Sequence, residues 1–162
     1  MSADNKQERL DPNWIVGFVD GEGCFHVAIN KLEKMSTGWT VLPEFRVVQH
    51  QRDEPTLNKI KEYFGFGQVM VNHDERKEFR VRGLKNLNII VEFFKINPLK
   101  TSKQKNFEIF SHIISLMNQK QHLTKEGLDR IAKLASQMNR QVQRHLESSE
   151  TIRRTSKKCL KI

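Results

Sequence analysis

Two pairs of segments with alternating apolar and polar residues constrain this fold more than any other feature. The first pair covers 24–30 and 41–49, with Phe25, Val27 and Ile29 on one side of the first segment. The second pair covers 68–72 and 78–82. A period of two is typical of strands that bury one face. Turn-forming residues separate the members of each pair, so the sequence predicts two β-hairpins.

Apolar residues at helical spacing lie before, between and after these hairpins. Pro12 is expected in the first turn of one helix, and Gly65 is expected to end another. The apolar faces predict helices over about 12–22, 54–64, 84–94, 102–117 and 124–142. The predicted class is α+β, with element order αββαββα, two further C-terminal helices and one antiparallel sheet. We expect one domain over 13–145 and a basic tail over 146–162.

The charge balance of the chain favours an acidic partner. Its 28 Lys and Arg residues exceed its 19 Asp and Glu residues, which gives a net charge of +9. Nucleic acid is therefore the first expectation. Cys24 and Cys159 lie far apart without a CxxC pair, which argues against a disulfide scaffold and a structural zinc site. Neither a secretory signal nor a membrane span is expected, because long apolar runs are absent from the sequence.

The polar positions of the predicted strands carry side chains that can read DNA bases. Arginine pairs with guanine, and Asn or Gln with adenine, in the major groove. Any half-exposed antiparallel sheet has a polar outer face, so this pattern alone also fits a solvated surface. The residues of this face that we expect at DNA are His26, Asn30, Glu44, Arg46, Gln68, Asn72, Glu78, Arg80 and Arg82.

Glycines four residues apart mark the first helical segment. Gly17 and Gly21 leave one helix face without side chains, so two such helices could approach closely. Glu22, just past that contact, would then lie near its copy in a second chain. Two close carboxylates repel unless a divalent cation lies between them, so the segment predicts a shared metal site. An ordinary helix that ends in a glycine-rich turn also fits this short pattern.

The segment IVGFVDGEG at 15–23 resembles the LAGLIDADG motif of homing endonucleases. Gly17, Asp20 and Gly23 match the letters of that name, and Glu22 replaces its second acid. The hairpin that follows, the repeated αββ order, the stretch 45–50 and the basic stretch 100–105 are also similar to this family. Val16 is larger than the usual alanine of the motif.

The resemblance implies a role for each residue of the candidate active site. Glu22 would be the metal-ligating carboxylate, assisted by the backbone carbonyl of Gly21. Gln49 would orient the attacking water, and Lys103 would stabilise charge on the phosphate or assist a proton transfer. If the register slips, Lys105 is the alternative to Lys103, and it is also a candidate DNA contact. The expected dimer interface consists of Gly17, Asp20 and Gly21, with Asp20 fixing the paired helices rather than binding metal.

The reaction that the resemblance implies is site-specific hydrolysis of both strands of double-stranded DNA. The expected cofactor is Mg²⁺ or Mn²⁺, with Ca²⁺ supporting binding without cleavage. One motif per chain implies a homodimer on a long, roughly palindromic target, and no small-molecule substrate. Arg153 and Arg154 of the tail are expected to contact phosphate, and a tail that serves only solubility fits the sequence equally well. Members of this family are commonly intron-encoded and intracellular, in an organelle or in archaeal or bacterial cytoplasm.

Two other interpretations use the same residues differently. A protein of this fold could bind nucleic acid without cutting it, as an RNA maturase or a regulator. A restriction-type nuclease could instead use Asp53 with the stretch Glu75-Arg76-Lys77. That stretch lies in a predicted polar turn, where a run of charges is usually solvated.

Overall fold

The computed structural model describes residues 9–138, and within them every predicted strand and helix is present. The strands are β1 (Gly23–Lys31), β2 (Trp39–His50), β3 (Gln68–His73) and β4 (Arg76–Val81). The helices are α1 (Pro12–Glu22), α2 (Glu54–Phe64), α3 (Leu84–Ile96), α4 (Lys103–Asn118) and α5 (Lys125–Ser136). Short 3-10 helices precede α2 and α5. The predicted α+β class and αββαββα order are confirmed.

The four strands form one antiparallel sheet in the order β1-β2-β4-β3. Gly23 at the start of β1 pairs with Val47, so β2 continues three residues beyond β1 to His50. That overhang lies next to the end of α1, because α1 runs directly into β1 without a loop. The connection therefore places the end of the glycine-rich helix at one edge of the sheet.

Local signals in the sequence explain where the helices begin and end. Asp11 accepts a hydrogen bond from the backbone N–H of Asn13 at 2.7 Å, and Pro12 occupies the first turn of α1. Gly65 ends α2 in the left-handed conformation, at φ 77°. A residue with a Cβ atom is strained there, which is why glycine is suited to this helix end.

The helices cover one face of the sheet around a core of aromatic rings. Phe25 lies within 5.2–5.6 Å of the rings of Phe45, Phe94, Phe107 and Phe110, measured between ring centroids. Each of these five side chains is at most 3% exposed. Burial of one such side chain contributes roughly 1.5–3 kcal/mol to folding. The core thus holds the helix layer, including α1 and α4, against the sheet.

The structure differs from the sequence expectations at the end of the described region. The last helix was expected to reach 142, but α5 ends at Ser136, and Gln137 and Met138 are already non-helical. The predicted domain end at 145 and the basic tail over 146–162 lie outside the described residues. None of the helices within 9–138 is both long and apolar enough to cross a bilayer.

Candidate active site and nucleic-acid interface

The candidate active site lies where α1 meets β1. Gly23 has no room for a side chain, because a Cβ atom there would be 2.5 Å from Cγ1 of Val19. The chain can therefore turn from helix to strand without a linker. Gly21 and Glu22 are left exposed at this junction. The sequence thus places a carboxylate at the solvent-facing tip of a helix that buries one face.

Asp20 connects the end of α1 to the loop that precedes α4. Its carboxylate accepts hydrogen bonds from the backbone N–H of Lys100 at 2.8 Å and of Thr101 at 3.2 Å. The Thr101 hydroxyl also donates to it at 2.7 Å. Partial burial raises the pKa of Asp20, but these hydrogen bonds and the charge of Lys103 outweigh it, so the pKa is lowered. The side chain fixes two segments of its own chain, and its role toward a second helix stays a prediction.

Lys103 reaches back across the same junction from the first turn of α4. Its Nζ atom donates a hydrogen bond to the carbonyl of Val19 at 2.9 Å. Burial lowers the pKa of Lys103, and the nearby side chains of Cys24, Asp20 and Glu22 raise it by less. The positive charge of an amine held at this junction can stabilise a bound anion. Lys105, the alternative to Lys103, is exposed further along α4.

Gln49 lies on the overhang of β2 beyond the first residue of β1. It lies two residues after the buried Val47, so both side chains are on the side of the sheet that α1 covers. The β1–β2 register therefore brings the strand segment that carries Gln49 to the edge where α1 ends. The role of Gln49 toward an attacking water stays a prediction.

The residues at the tip of α1 fit a divalent cation. Backbone carbonyls at the end of a helix lack intrahelical partners, and the helix dipole is negative there. The exposed Glu22 carboxylate adds a charged oxygen beside the carbonyl of Gly21. Magnesium and calcium prefer oxygen ligands of both kinds. No cluster of three or more His, Cys, Asp or Glu side chains within residues 9–138 could hold a metal.

One face of α1 has no covering element among the described residues. It presents Trp14, Gly17 and Gly21 to solvent, with the half-buried Phe18 beside them. The Trp14 and Phe18 rings stack at 4.8 Å. A Cβ atom at either glycine would meet nothing within 4 Å, so neither glycine is required by packing inside the chain. We call this surface the open face of α1.

Three arginines dominate the sheet face opposite the helices. Arg46, Arg80 and Arg82 lie on this outer face, with side chains 30%, 23% and 58% exposed. Glu44 and Glu78, which the sequence predicts as DNA contacts, lie on this face but are buried. They are 7% and 2% exposed. The arginines fold over them, because a buried carboxylate needs charged or hydrogen-bonded partners.

The other predicted DNA contacts have mixed placements. His26 is partly buried on the outer face, whereas Asn30, Gln68 and Asn72 are exposed. A groove of about 310 Å³ on this face is lined by Gly67, Gln68, Met70, Arg80, Arg82 and Asn86. Met70 and Asn86 line this groove although the sequence does not predict them as DNA contacts, because one is an apolar residue on a polar face and the other is on α3. The predicted contacts Arg153 and Arg154 lie outside the described residues.

The alternative acidic cluster does not assemble in the structure. Glu75 is exposed in the turn between β3 and β4, where its carboxylate is 3.2 Å from His50 Nε2. Asp53 lies 3.4 Å from Arg52 instead. Asp53 and Glu75 thus pair with different residues. The tip of α1 stays the predicted catalytic position.

The sequence of this chain matches a known protein family and several curated proteins. The family model described as "LAGLIDADG endonuclease" matches residues 15–114. Probable intron-encoded endonuclease 2 of Neurospora crassa is 35% identical over 143 residues, which cover 86% of this chain and 32% of that protein. A protein in ND4 intron 1 of Podospora anserina is 36% identical over 118 residues, which cover 72% of this chain and 26% of that protein. The chain thus spans about a quarter to a third of the length of these curated relatives.

Two solved structures share the fold of this chain. The homing endonuclease I-TnaI is 45% identical with a TM-score of 0.84, and the match covers 93% of this chain and 99% of that one. The I-SmaMI LAGLIDADG homing endonuclease bound to cleaved DNA is 31% identical with a TM-score of 0.85. That match covers 93% of this chain and 49% of I-SmaMI. On the motif, the fold and these matches, the chain belongs to the LAGLIDADG endonuclease family.

Proposed function

We propose that this protein is a site-specific, metal-dependent DNA endonuclease that acts as a homodimer. The observation that carries the proposal is the grouping of Glu22, Asp20 and Lys103 at the tip of α1, beside the open glycine face. A metal-binding carboxylate and a positioned cation are the groups that phosphodiester hydrolysis needs. The arginine-bearing face of the same sheet supplies a surface for the DNA duplex.

A homodimer through the open face of α1 explains why that face is apolar and contains two glycines. Small residues four apart let two helix backbones approach closely, and a two-fold axis there would bring both Glu22 carboxylates together. The length relation to I-SmaMI supports this proposal, because this chain matches about half of that DNA-bound protein. Two copies of this chain would then supply the two halves of one DNA-binding surface.

The residues at the junction have distinct proposed tasks in cleavage. Glu22 and the Gly21 carbonyl would hold Mg²⁺ or Mn²⁺, which supplies Lewis-acid activation of water and charge stabilisation on the leaving oxygen. Gln49 would orient the water for in-line attack. Lys103 would offset the negative charge that develops on the phosphate, and Asp20 would keep the start of α4 in place for this. Ca²⁺ is proposed to support DNA binding without cleavage.

The proposed substrate is a long, roughly palindromic double-stranded DNA site. Two-fold symmetry of the dimer would repeat the same side-chain contacts on each half of the site. Because relatives are named as intron-encoded endonucleases, we also propose that an intron reading frame encodes this chain.

The test is cleavage of a randomised duplex library with Mg²⁺, followed by sequencing of the newly formed ends. We expect recurrent ends with a two-fold symmetric flanking sequence. The Glu22→Gln variant should bind the recovered site with unchanged affinity and leave both strands intact. The matched control Glu75→Gln, also an exposed glutamate, should cut like the parent protein. Binding without any cut by the parent protein would instead establish the non-cleaving maturase or regulator.

A further inference from the structure

Two carboxylates lie on the candidate DNA face where solvent does not reach them. Glu78 on β4 is 2% exposed and Glu44 on β2 is 7% exposed, although both are on the outer side of the sheet. Glutamate is almost never fully buried unless it is paired. Acidic groups also oppose attraction to phosphate. Their presence under this surface therefore calls for a reason other than affinity for DNA.

The contacts of Glu78 supply that reason for one half of the cluster. Its Oε1 atom accepts a hydrogen bond from Nε of Arg80 at 2.6 Å and also contacts Nη2 of Arg80. Its Oε2 atom accepts one from Nδ2 of Asn72 at 2.8 Å and lies 4.0 Å from Nη1 of Arg46. One buried carboxylate thus orients two side chains that can read bases.

Glu44 repeats the arrangement on the neighbouring strand. Its Oε2 atom accepts a hydrogen bond from Nε of Arg82 at 2.7 Å and lies 2.7 Å from Nη2 of the same guanidinium. Its Oε1 atom lies 3.2 Å from Nε of Arg46. Arg46 therefore lies within ion-pair distance of both carboxylates without a hydrogen bond from its Nε, and the five side chains form one series of alternating charges. The order is Arg82, Glu44, Arg46, Glu78, Arg80.

This pairing leaves a defined part of each guanidinium for DNA. A guanidinium has five N–H donors in a rigid planar fork. In both Arg80 and Arg82 the carboxylate engages Nε and one side of Nη2. Nη2 of Arg80 also donates to Sδ of Met70 at 2.8 Å, so the two donors on Nη1 of each arginine remain for a base. Arginine recognises guanine through donors to O6 and N7, which requires the plane of the fork to be fixed. Freely rotating arginines would be attracted equally well by any phosphate.

We propose that Glu78 and Glu44 are positioning residues that hold Arg80 and Arg82 as readers of guanine, and that neither glutamate contacts a base. This inference rests on the proposed function, because it assumes that the outer face meets a DNA duplex. The negative charge of the two glutamates lowers the affinity of this sheet face for any DNA. By fixing the arginines, the same glutamates raise the ability of the face to discriminate between base pairs. Each arginine is assigned one G·C pair in each half of the symmetric site.

The test compares glutamine variants in a Glu22→Gln parent, which is not expected to cut its substrate. Affinities are measured for the selected site, for the same site with each G·C pair replaced in turn, and for a random duplex. Glu78→Gln should lose about tenfold of its discrimination at one base pair per half-site, the size expected of one bidentate contact. Its affinity for the random duplex should stay equal or rise, because a negative charge is removed. Glu44→Gln should do the same at a different base pair.

Two further variants separate positioning from a merely structural role. Arg80→Lys keeps the charge but lacks the fork, so it should lose discrimination at the same base pair as Glu78→Gln. Glu92→Gln is the matched control, because Glu92 is an exposed glutamate of α3 that pairs with Lys95. It should leave the base profile unchanged.

The outcomes that overturn the inference differ from those that overturn the proposed function. An unchanged base profile in Glu78→Gln would refute positioning while leaving DNA binding intact. A parallel loss of affinity for both the selected and the random duplex would also refute it, because that is the signature of a structural role. If Glu78→Gln does not fold, an effect of Arg80→Lys spread over all base pairs still refutes it. A parent that binds neither duplex refutes both proposals.

Discussion

Replacing Gly17 with alanine should strengthen the folded subunit and weaken its association with a second copy. Within the chain, a Cβ atom at Gly17 meets nothing within 4 Å, and the residue has an ordinary helical conformation. Alanine is favoured over glycine inside a helix by about 0.8–1 kcal/mol. The substitution should therefore raise the free energy of unfolding of the isolated subunit by about 1 kcal/mol.

The effect on the dimer has the opposite sign if two α1 helices pack through their open faces. An extra methyl group in a close-packed contact typically costs about 1–3 kcal/mol, and two-fold symmetry doubles it to about 2–6 kcal/mol per dimer. A loss of this size weakens the dissociation constant by at least about 30-fold. Sedimentation equilibrium measures that constant, and urea unfolding at low protein concentration measures the stability of the subunit.

The two signs together make this prediction specific. Gly127→Ala is the contrasting control, because a Cβ atom at Gly127 would lie 2.0 Å from the Gln121 carbonyl oxygen inside the chain. That variant should lose subunit stability. If Gly17→Ala instead destabilises the subunit, or leaves the dissociation constant unchanged, the open face of α1 is not the dimer contact.

Three further predictions concern the residues around the tip of α1. Burial lowers the pKa of Lys103, so the rate of single-turnover cleavage should fall as pH rises through that lowered pKa and the amine loses its charge. The Lys103→Arg variant should not show this decline at alkaline pH. A cleavage rate that rises with pH would instead indicate that Lys103 acts as a proton acceptor. Asp20→Asn should lose about 1 kcal/mol of stability near neutral pH, measured by urea unfolding. Because the pKa of Asp20 is lowered in the folded chain, the stability difference between the parent protein and Asp20→Asn should shrink as pH falls below about 3.8, and should vanish below the lowered pKa. A stability difference that does not change with pH would contradict this. Substituting Glu75 with alanine should leave the metal dependence of cleavage unchanged, and a shift would restore the alternative acidic cluster.

The strands were predictable because the period of two is a local signal. The alternation around Phe25, Phe45 and Phe79 placed the correct residues in the core, since each faces the helix layer. The end of α1 was equally predictable from the glycines at 21 and 23, and Gly23 has no room for a side chain there. Both signals depend only on neighbours in the sequence.

The buried acids could not be predicted in the same way. Alternation correctly placed Glu44 on the outer face of the sheet. The burial of Glu44 depends on Arg82, which is 38 residues away in the sequence and is brought next to Glu44 by the pairing of β2 with β4. The contacts of Asp20 with residues 100–101 span about 80 residues and likewise have no local signature. At α5, apolar residues continue at helical spacing to Met138, yet the helix ends at Ser136. Such outcomes depend on tertiary packing.

The most direct test of the account mixes the parent protein with the Glu22→Gln variant before DNA is added. Subunits are allowed to exchange, and double-strand cleavage of the selected site is measured against the fraction of parent chains. If each cut duplex needs a carboxylate from both subunits, an equal mixture should retain roughly a quarter of the activity, following the square of that fraction. Activity that falls linearly, to one half in the equal mixture, would show that each chain acts alone and would contradict the shared site.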